Sequence, residues 1–348
     1  MPRGRARTAT LALTVVASLL AGARPAAADP PAPTDYRSTV TAVDPTTDGV
    51  EAQVVGGDAF LELRVDVGRE VLVSGYGDEP YLRFRPDGTV ERNRRSEATY
   101  LNEDRQGGVE LPADADNEAD PEWETVASGG TYAWHDHRIH WMGASRPPGA
   151  EPGDLVQEWA VPMTVDGTAV EVRGELVLAE PTSPLPWFAL AVGGLAAVVA
   201  LGRRRPQPTA GLAVLVAATA ALGIGWAEWS AAPAGAGADP LLVAVPLVGV
   251  VAALAGVALR GRPAAATATL AAAAATLGWA VLRADVLWTP VLPTDVPFAL
   301  DRAVTALALG LPAGAAALVV WAGGLAGTPT PARAEREPGD SERGADRR

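Results

Sequence analysis

No cysteine occurs among the 348 residues. That absence excludes disulfide staples, thiolate zinc and iron–sulfur sites, a cysteine nucleophile and a lipid-modified N-terminal cysteine. Any exported domain of this chain must hold together by core burial. Lysine is missing as well, so all 28 basic residues are arginine, and 41 acids set the net charge at −13. An excess of acid argues against nucleic acid as a partner, because phosphate binding needs a clustered basic face. Walker A, dinucleotide-binding, HExxH and GxSxG sequences are all lacking, so no nucleotide or nucleophile chemistry is expected and the chain does not read as an enzyme. Histidine and methionine are scarce, with three of each.

What is present is divided unevenly. A hydrophobic content of 48% and a charge of −13 describe an acidic soluble protein on average, yet no single region has that composition. Arg3, Arg5 and Arg7 precede an apolar stretch from Thr8 to Gly22, and Ala26 and Ala28 place small residues at a cleavage site, so residues 1–28 read as a signal peptide. Residues 29–184 hold 31 acids and 12 arginines. Short β-branched or alternating runs recur there, at Tyr36 to Val43, Val50 to Val55, Phe60 to Val65, Glu70 to Ser74, Tyr81 to Phe84, Gly130 to Trp134, Glu158 to Val165 and Ala169 to Leu178. Asp48-Gly49, Gly56-Gly57, Asp87-Gly88 and Asp166-Gly167 punctuate them as turns. The expectation is an all-β sandwich of immunoglobulin or cupredoxin type.

After Pro184 the chain turns apolar. Five stretches, at about 185–202, 209–226, 240–259, 264–282 and 303–325, predict an α-helical five-span membrane region. Tryptophans 187, 226, 229, 288 and 321 lie near the predicted ends, as an interfacial belt requires. Arg203, Arg204 and Arg205 follow the first span and Arg260 and Arg262 the third, without acids, so these loops are expected in the cytoplasm. A leader places the β-domain outside, and five spans then bring the tail inside. Both inferences give a multi-pass protein of the cell membrane, in contact with lipid, with its N-terminal domain outside. Residues 326–348 mix five arginines with five acids among Pro, Gly and Ser and read as a disordered cytoplasmic tail.

One stretch concentrates chemistry. Gly130-Thr131-Tyr132-Ala133-Trp134-His135-Asp136-His137-Arg138-Ile139-His140-Trp141-Met142 holds every histidine of the protein and one of its methionines. Imidazole and thioether are ligands that copper accepts when thiolate is absent, so His135, His137, His140 and Met142 form a candidate metal site for copper or zinc. On a strand His135 and His137 share one face and His140 has the opposite parity. A helical turn would instead pair His137 with His140 and separate His135. The competing reading is a packed, hydrogen-bonded segment with Asp136 and Arg138 as a surface pair, in a structural module or one that binds an envelope protein partner. Acid–base use of the histidines is a third.

The string Gly-Thr-Tyr-x-Trp-His-Asp-His-Arg-x-His-Trp-Met, with Glu79-Pro80-Tyr81-Leu82-Arg83 and Asp87-Gly88 upstream, resembles a group of uncharacterised actinobacterial proteins. The resemblance implies a secreted, membrane-anchored β-domain and carries no biochemical role with it. In plan, a small exported β-domain joined to membrane helices is also similar to copper-resistance proteins of the CopC/CopD and YcnI type, although Asp29 stands where such binders carry an N-terminal histidine. Multicopper oxidases share the His-x-His strand, but they require four such motifs and a cysteine.

Three other charged features stand out. Nine acids lie between Glu103 and Glu124, but Ala119 and Thr125 replace the glycine and glutamate of a calcium loop, so a solvated acidic loop is expected. Arg83, Arg85, Arg92, Arg94 and Arg95 form a basic island, suited to neutralising nearby acids or to meeting an anionic envelope polymer. Arg283, Asp285, Asp301 and Arg302 cluster among prolines at a predicted membrane boundary, where ion-paired anchoring or snorkelling is expected.

Overall fold

The computed structural model describes residues 30–233 and 239–326. The expected leader and almost all of the expected tail lie outside the described residues. Ten strands form the N-terminal part: β1 (Tyr36–Asp44), β2 (Val50–Val55), β3 (Phe60–Val65), β4 (Val71–Ser74), β5 (Pro80–Phe84), β6 (Val90–Asn93), β7 (Trp123–Ala127), β8 (Thr131–Trp134), β9 (Leu155–Val165) and β10 (Thr168–Leu178). Every pairing is antiparallel. One sheet runs β1-β10-β9-β4-β5-β6-β7 and a smaller one β2-β3-β8.

Period-two alternation puts one side of each sheet into a shared core. Val71 and Val73 of β4, Leu82 and Phe84 of β5, and Val161 and Met163 of β9 join Leu61 and Leu63 of β3 and Trp134 of β8 in a single buried cluster. The β9–β10 hairpin shows how local sequence sets register. Asp166 and Gly167 both adopt positive φ, 49° and 81°, as a two-residue turn between right-twisted strands demands. Val165 then faces Thr168, and Val161 faces Val172 inside the core.

Two strands lie outside the sequence expectation, β6 and β7. Each is short, and β7 begins at the end of the acidic run, where Glu124 pairs with Arg92 at 2.6 Å. The same pairing of sheet edges consumes the basic island. Arg83 and Arg85 meet Glu91, and Arg94 and Arg95 meet Glu122, so each of the five arginines has an acid partner within the domain, five guanidiniums sharing three carboxylates. A short helix, α1 (Ala98–Leu101), follows β6.

Five helices complete the chain: α2 (Leu185–Gly202), α3 (Pro206–Ala231), α4 (Leu241–Ala258), α5 (Pro263–Leu282) and α6 (Phe298–Ala326), with a 3₁₀ turn at Ala284–Leu287. All five are long and apolar enough to cross a membrane. This is a membrane protein with an N-terminal antiparallel β-domain. α3 is longer than its apolar run suggested, because Pro206 starts it where the first turn needs no N–H donor and its end carries on through Glu228. α6 likewise begins at Phe298, five residues before the predicted span.

Four charges at the end of the bundle nearest the β-domain are buried, Glu228, Arg283, Asp301 and Arg302. Arg283 forms a paired contact with Glu228 of α3 and reaches Asp301 of α6 at 2.9 Å. Arg302 donates to the carbonyls of Val286, Thr289 and Pro290. Ion-paired anchoring therefore describes Arg283 and Asp301, with Glu228 as a further partner, whereas Arg302 is held by main-chain carbonyls and Asp285 forms no ion pair among the described residues. The β-domain sits against this end. Thr34 and Val291 exchange backbone hydrogen bonds of 3.0 and 3.2 Å, as an isolated antiparallel bridge.

Candidate functional site

The histidine segment starts in the sheet and leaves it at once. β8 ends at Trp134, and the Ile139 N–H closes a turn onto the Asp136 carbonyl at 3.0 Å. His135 and His137 therefore do not share a strand face. The turn is organised by the Asp136 carboxylate, which has no exposed surface. It accepts from Trp134 Nε1 at 2.9 Å, from the Arg138 backbone N–H at 3.1 Å, and from Arg138 Nε and Nη2 at 2.7 Å each. Burial pushes this carboxyl up, and the facing Arg138 guanidinium more than reverses that, holding it below the usual carboxylate range. The pair expected at the surface is thus a buried one, and Arg138 is further held by the Ser74 carbonyl and the face of Tyr76.

Each imidazole has a separate setting. His135 is 1% exposed, stacks on Phe60 with ring centroids 4.2 Å apart, and donates from Nδ1 to the Ala59 carbonyl at 2.5 Å. His137 stacks on Tyr76 and donates from Nε2 to the Asp104 carbonyl at 3.0 Å. The His137 backbone N–H in turn donates to the Tyr76 hydroxyl, which also bonds the Asn102 side chain. His140 meets the edge of His137, with centroids 5.5 Å apart. Its Nδ1 points to the Trp141 carbonyl at 3.4 Å, and its Nε2 is buried without a hydrogen-bond partner. Burial, aided by the positive charge of Arg105, drives the His140 pKa down to about 3, so the ring is neutral.

The turn accordingly brings His137 and His140 together and leaves His135 on Phe60. Met142 is 40% exposed. Among the described residues, no group of three or more histidine, aspartate or glutamate side chains is placed to hold a metal ion. The acidic run from Glu103 to Glu124 gives no such group either.

A second ion pair adjoins the histidines. Asp58 is fully buried and receives Arg105 Nη2 at 2.6 Å. Burial raises its carboxyl and Arg105 opposes the shift. Its second oxygen, Oδ1, has no hydrogen-bond partner. Sequence reasoning missed Asp58, Arg105, Tyr76 and Gln157, whose side-chain amide donates to the Arg138 carbonyl at 2.8 Å. Asp58 and Arg105 are 47 residues apart, and no local signal connects them.

A cleft of about 370 Å³ lies beside this segment, lined by Arg105, Trp141 and Gly143 of the β-domain and by Trp288 and Thr289 after α5. The histidine segment thus borders the junction with the helical bundle. Compared with known protein families, curated proteins and solved structures, the chain matches none.

Proposed function

We propose that this chain is a multi-pass cell-envelope protein whose exported β-domain, a sandwich of immunoglobulin or cupredoxin type, acts as a structural or protein-interaction module held against the membrane. The observation that carries this reading is the internal use of the histidine segment. Asp136 and Arg138 satisfy each other in the core, and His135 and His137 donate to main-chain carbonyls of distant segments. The topology inferred from the leader and the arginine loops puts the domain outside the cell.

A metal reading, with copper or zinc at His137 and His140 and Met142 swinging in, is favoured by one observation: His140 offers a neutral, buried Nε2 with a free lone pair beside a second imidazole. Loading the purified full chain with Cu(I) or Zn(II), removing the excess and counting retained metal separates the two. The module reading expects well under one metal per chain. One retained metal per chain, lost in His137→Ala, would establish the metal site instead.

A further inference from the structure

Two neighbouring strands show which end of the β-domain meets the bundle. The Gly56-Gly57 turn between β2 and β3 lies on the loop before α6, so closely that a Cβ on Gly57 would stand 2.7 Å from Val291 Cγ1. β8 pairs antiparallel with β3, Leu61 facing Trp134, so the histidine segment leaves its sheet at this same end. The residues that follow are fastened there twice. Arg146 pairs with Asp35 at 2.9 Å, next to the Thr34–Val291 bridge, and Trp141 Nε1 donates to the Ser145 carbonyl at 2.7 Å. Three exposed residues, Met142-Gly143-Ala144, form the tip of the turn that this bond closes.

The tip is apolar and carries no charge, so moving it out of water strips no ion of its hydration. Met142 is 40% exposed. A Cβ on Gly143 would stand 2.5 Å from Trp141 Nε1, so the missing side chain is what lets the indole lie against the turn. Trp141 packs partly on the β-domain core and also lines the cleft that Trp288 borders from the bundle side. Leu155, 51% exposed, begins β9 beside this turn, since Gln157 two residues on donates to the carbonyls of Arg138 and His140.

Single exposed apolar residues are ordinary, but a cluster on a fastened turn marks a contact surface. Its surroundings name the partner. Trp288 is 47% exposed, and with the exposed Trp226 and Trp229 it forms the tryptophan row at this end of the bundle, the level at which lipid headgroups begin. The cluster is continuous with that row across the cleft.

We infer that the Trp141–Ala144 turn, with Leu155 beside it, dips into the headgroup region of the leaflet at the β-domain end of the bundle. Met142 is the inserted group, and Trp141 sits at the interface as Trp288 does. The inference rests on the reading of the β-domain as a module held against the membrane, and it gives that module a lipid contact of its own.

The test exploits the lack of cysteine, because Met142→Cys supplies a single thiol for a nitroxide spin label. The labelled full chain is placed in vesicles of equal parts phosphatidylethanolamine and phosphatidylglycerol. Power saturation then compares collisions of the label with oxygen, which concentrates in lipid, and with a neutral nickel chelate, which stays in water. Val67→Cys is the reference, since Val67 lies beyond the opposite end of β3, about 20 Å from the Gly56-Gly57 turn at the rise of a strand. At position 142 oxygen collisions are expected to exceed nickel collisions severalfold, with the reverse at position 67. Ala144→Cys carries the same reading should Met142→Cys fail to elute as a single species. Nickel collisions as frequent as at position 67 would put the turn in water, and low rates with both reagents would put it against protein, a second copy or another partner; either result overturns the inference. Metal counting on the unsubstituted chain reports separately: retained metal alongside an oxygen-dominated label would end the module reading and leave the lipid contact in place.

Discussion

The β-domain and the helical bundle solve burial with different side chains. The β-domain core is built from large residues, among them Phe60, Tyr81, Phe84, Trp134 and Trp159. The buried surfaces of the bundle are dominated by alanine, as at Ala210, Ala217, Ala218, Ala221, Ala272, Ala273 and Ala315. Water rewards the first choice, because removing large apolar surface is the main drive to fold a soluble domain. In lipid that drive between helices disappears, and close backbone approach becomes the source of attraction. Gly225 and Gly310 show the limit of approach: a Cβ there would stand about 2 Å from the carbonyl oxygens of Leu242 and Ala191. Both halves nonetheless bury charge, and both do so with arginine clamped between acids or carbonyls.

The contrast can be broken most strongly at the buried charge in the β-domain. Asp136→Ala strands the Arg138 guanidinium and the Trp134 N–H in the core, and a loss of about 3–5 kcal/mol is expected. Chemical denaturation of the full chain, followed by tryptophan fluorescence, measures it. A loss under 1 kcal/mol would mean the turn is held by other contacts.

A smaller loss tests each packing style in its own half. Leu82→Ala opens a cavity under β5 and should cost about 2–5 kcal/mol in the same unfolding transition. Gly225→Ala adds a methyl where α3 meets α4, and overpacking of about 1–3 kcal/mol is expected, read as a lower thermal midpoint in detergent. Equal sensitivity of the two halves to both kinds of substitution would erase the distinction.

The last contrast is a pH slope, at most about 1.4 kcal/mol per pH unit. His140 has a folded pKa near 3 set by burial, against an ordinary value of 6.5. As pH falls below about 6.5 the unfolded chain takes up this proton and the folded one does not, so stability present at neutral pH declines between roughly pH 6.5 and 3. His140→Gln should flatten the profile in that window. A profile as steep as that of the parent would show that another group dominates.

What the sequence made legible follows from how local each cause is. The β9–β10 hairpin was readable because Asp166-Gly167 sets its own turn and the flanking residues alternate without a break. The five helices were readable because hydropathy is a property of each segment alone. β6 was not, since Val90-Glu91-Arg92-Asn93 has no alternation and is a strand only through its neighbours. At the histidine segment the residue types gave the location and the turn alternative gave the pairing of His137 with His140. Which rings were already occupied depended on Ala59, Asp104 and Arg105, brought in by folding from far along the chain.

The bridge between Thr34 and Val291 also has a consequence for assembly. It joins the first strand-leading residues to the loop before α6, so it closes only after the first four membrane helices have been made. Contacts of such separation form late, and domains synthesised first fold first. The β-domain must therefore wait, undocked, until α5 has been made and the loop before α6 has emerged. Its seat on the bundle is a record that membrane insertion has passed the fourth span.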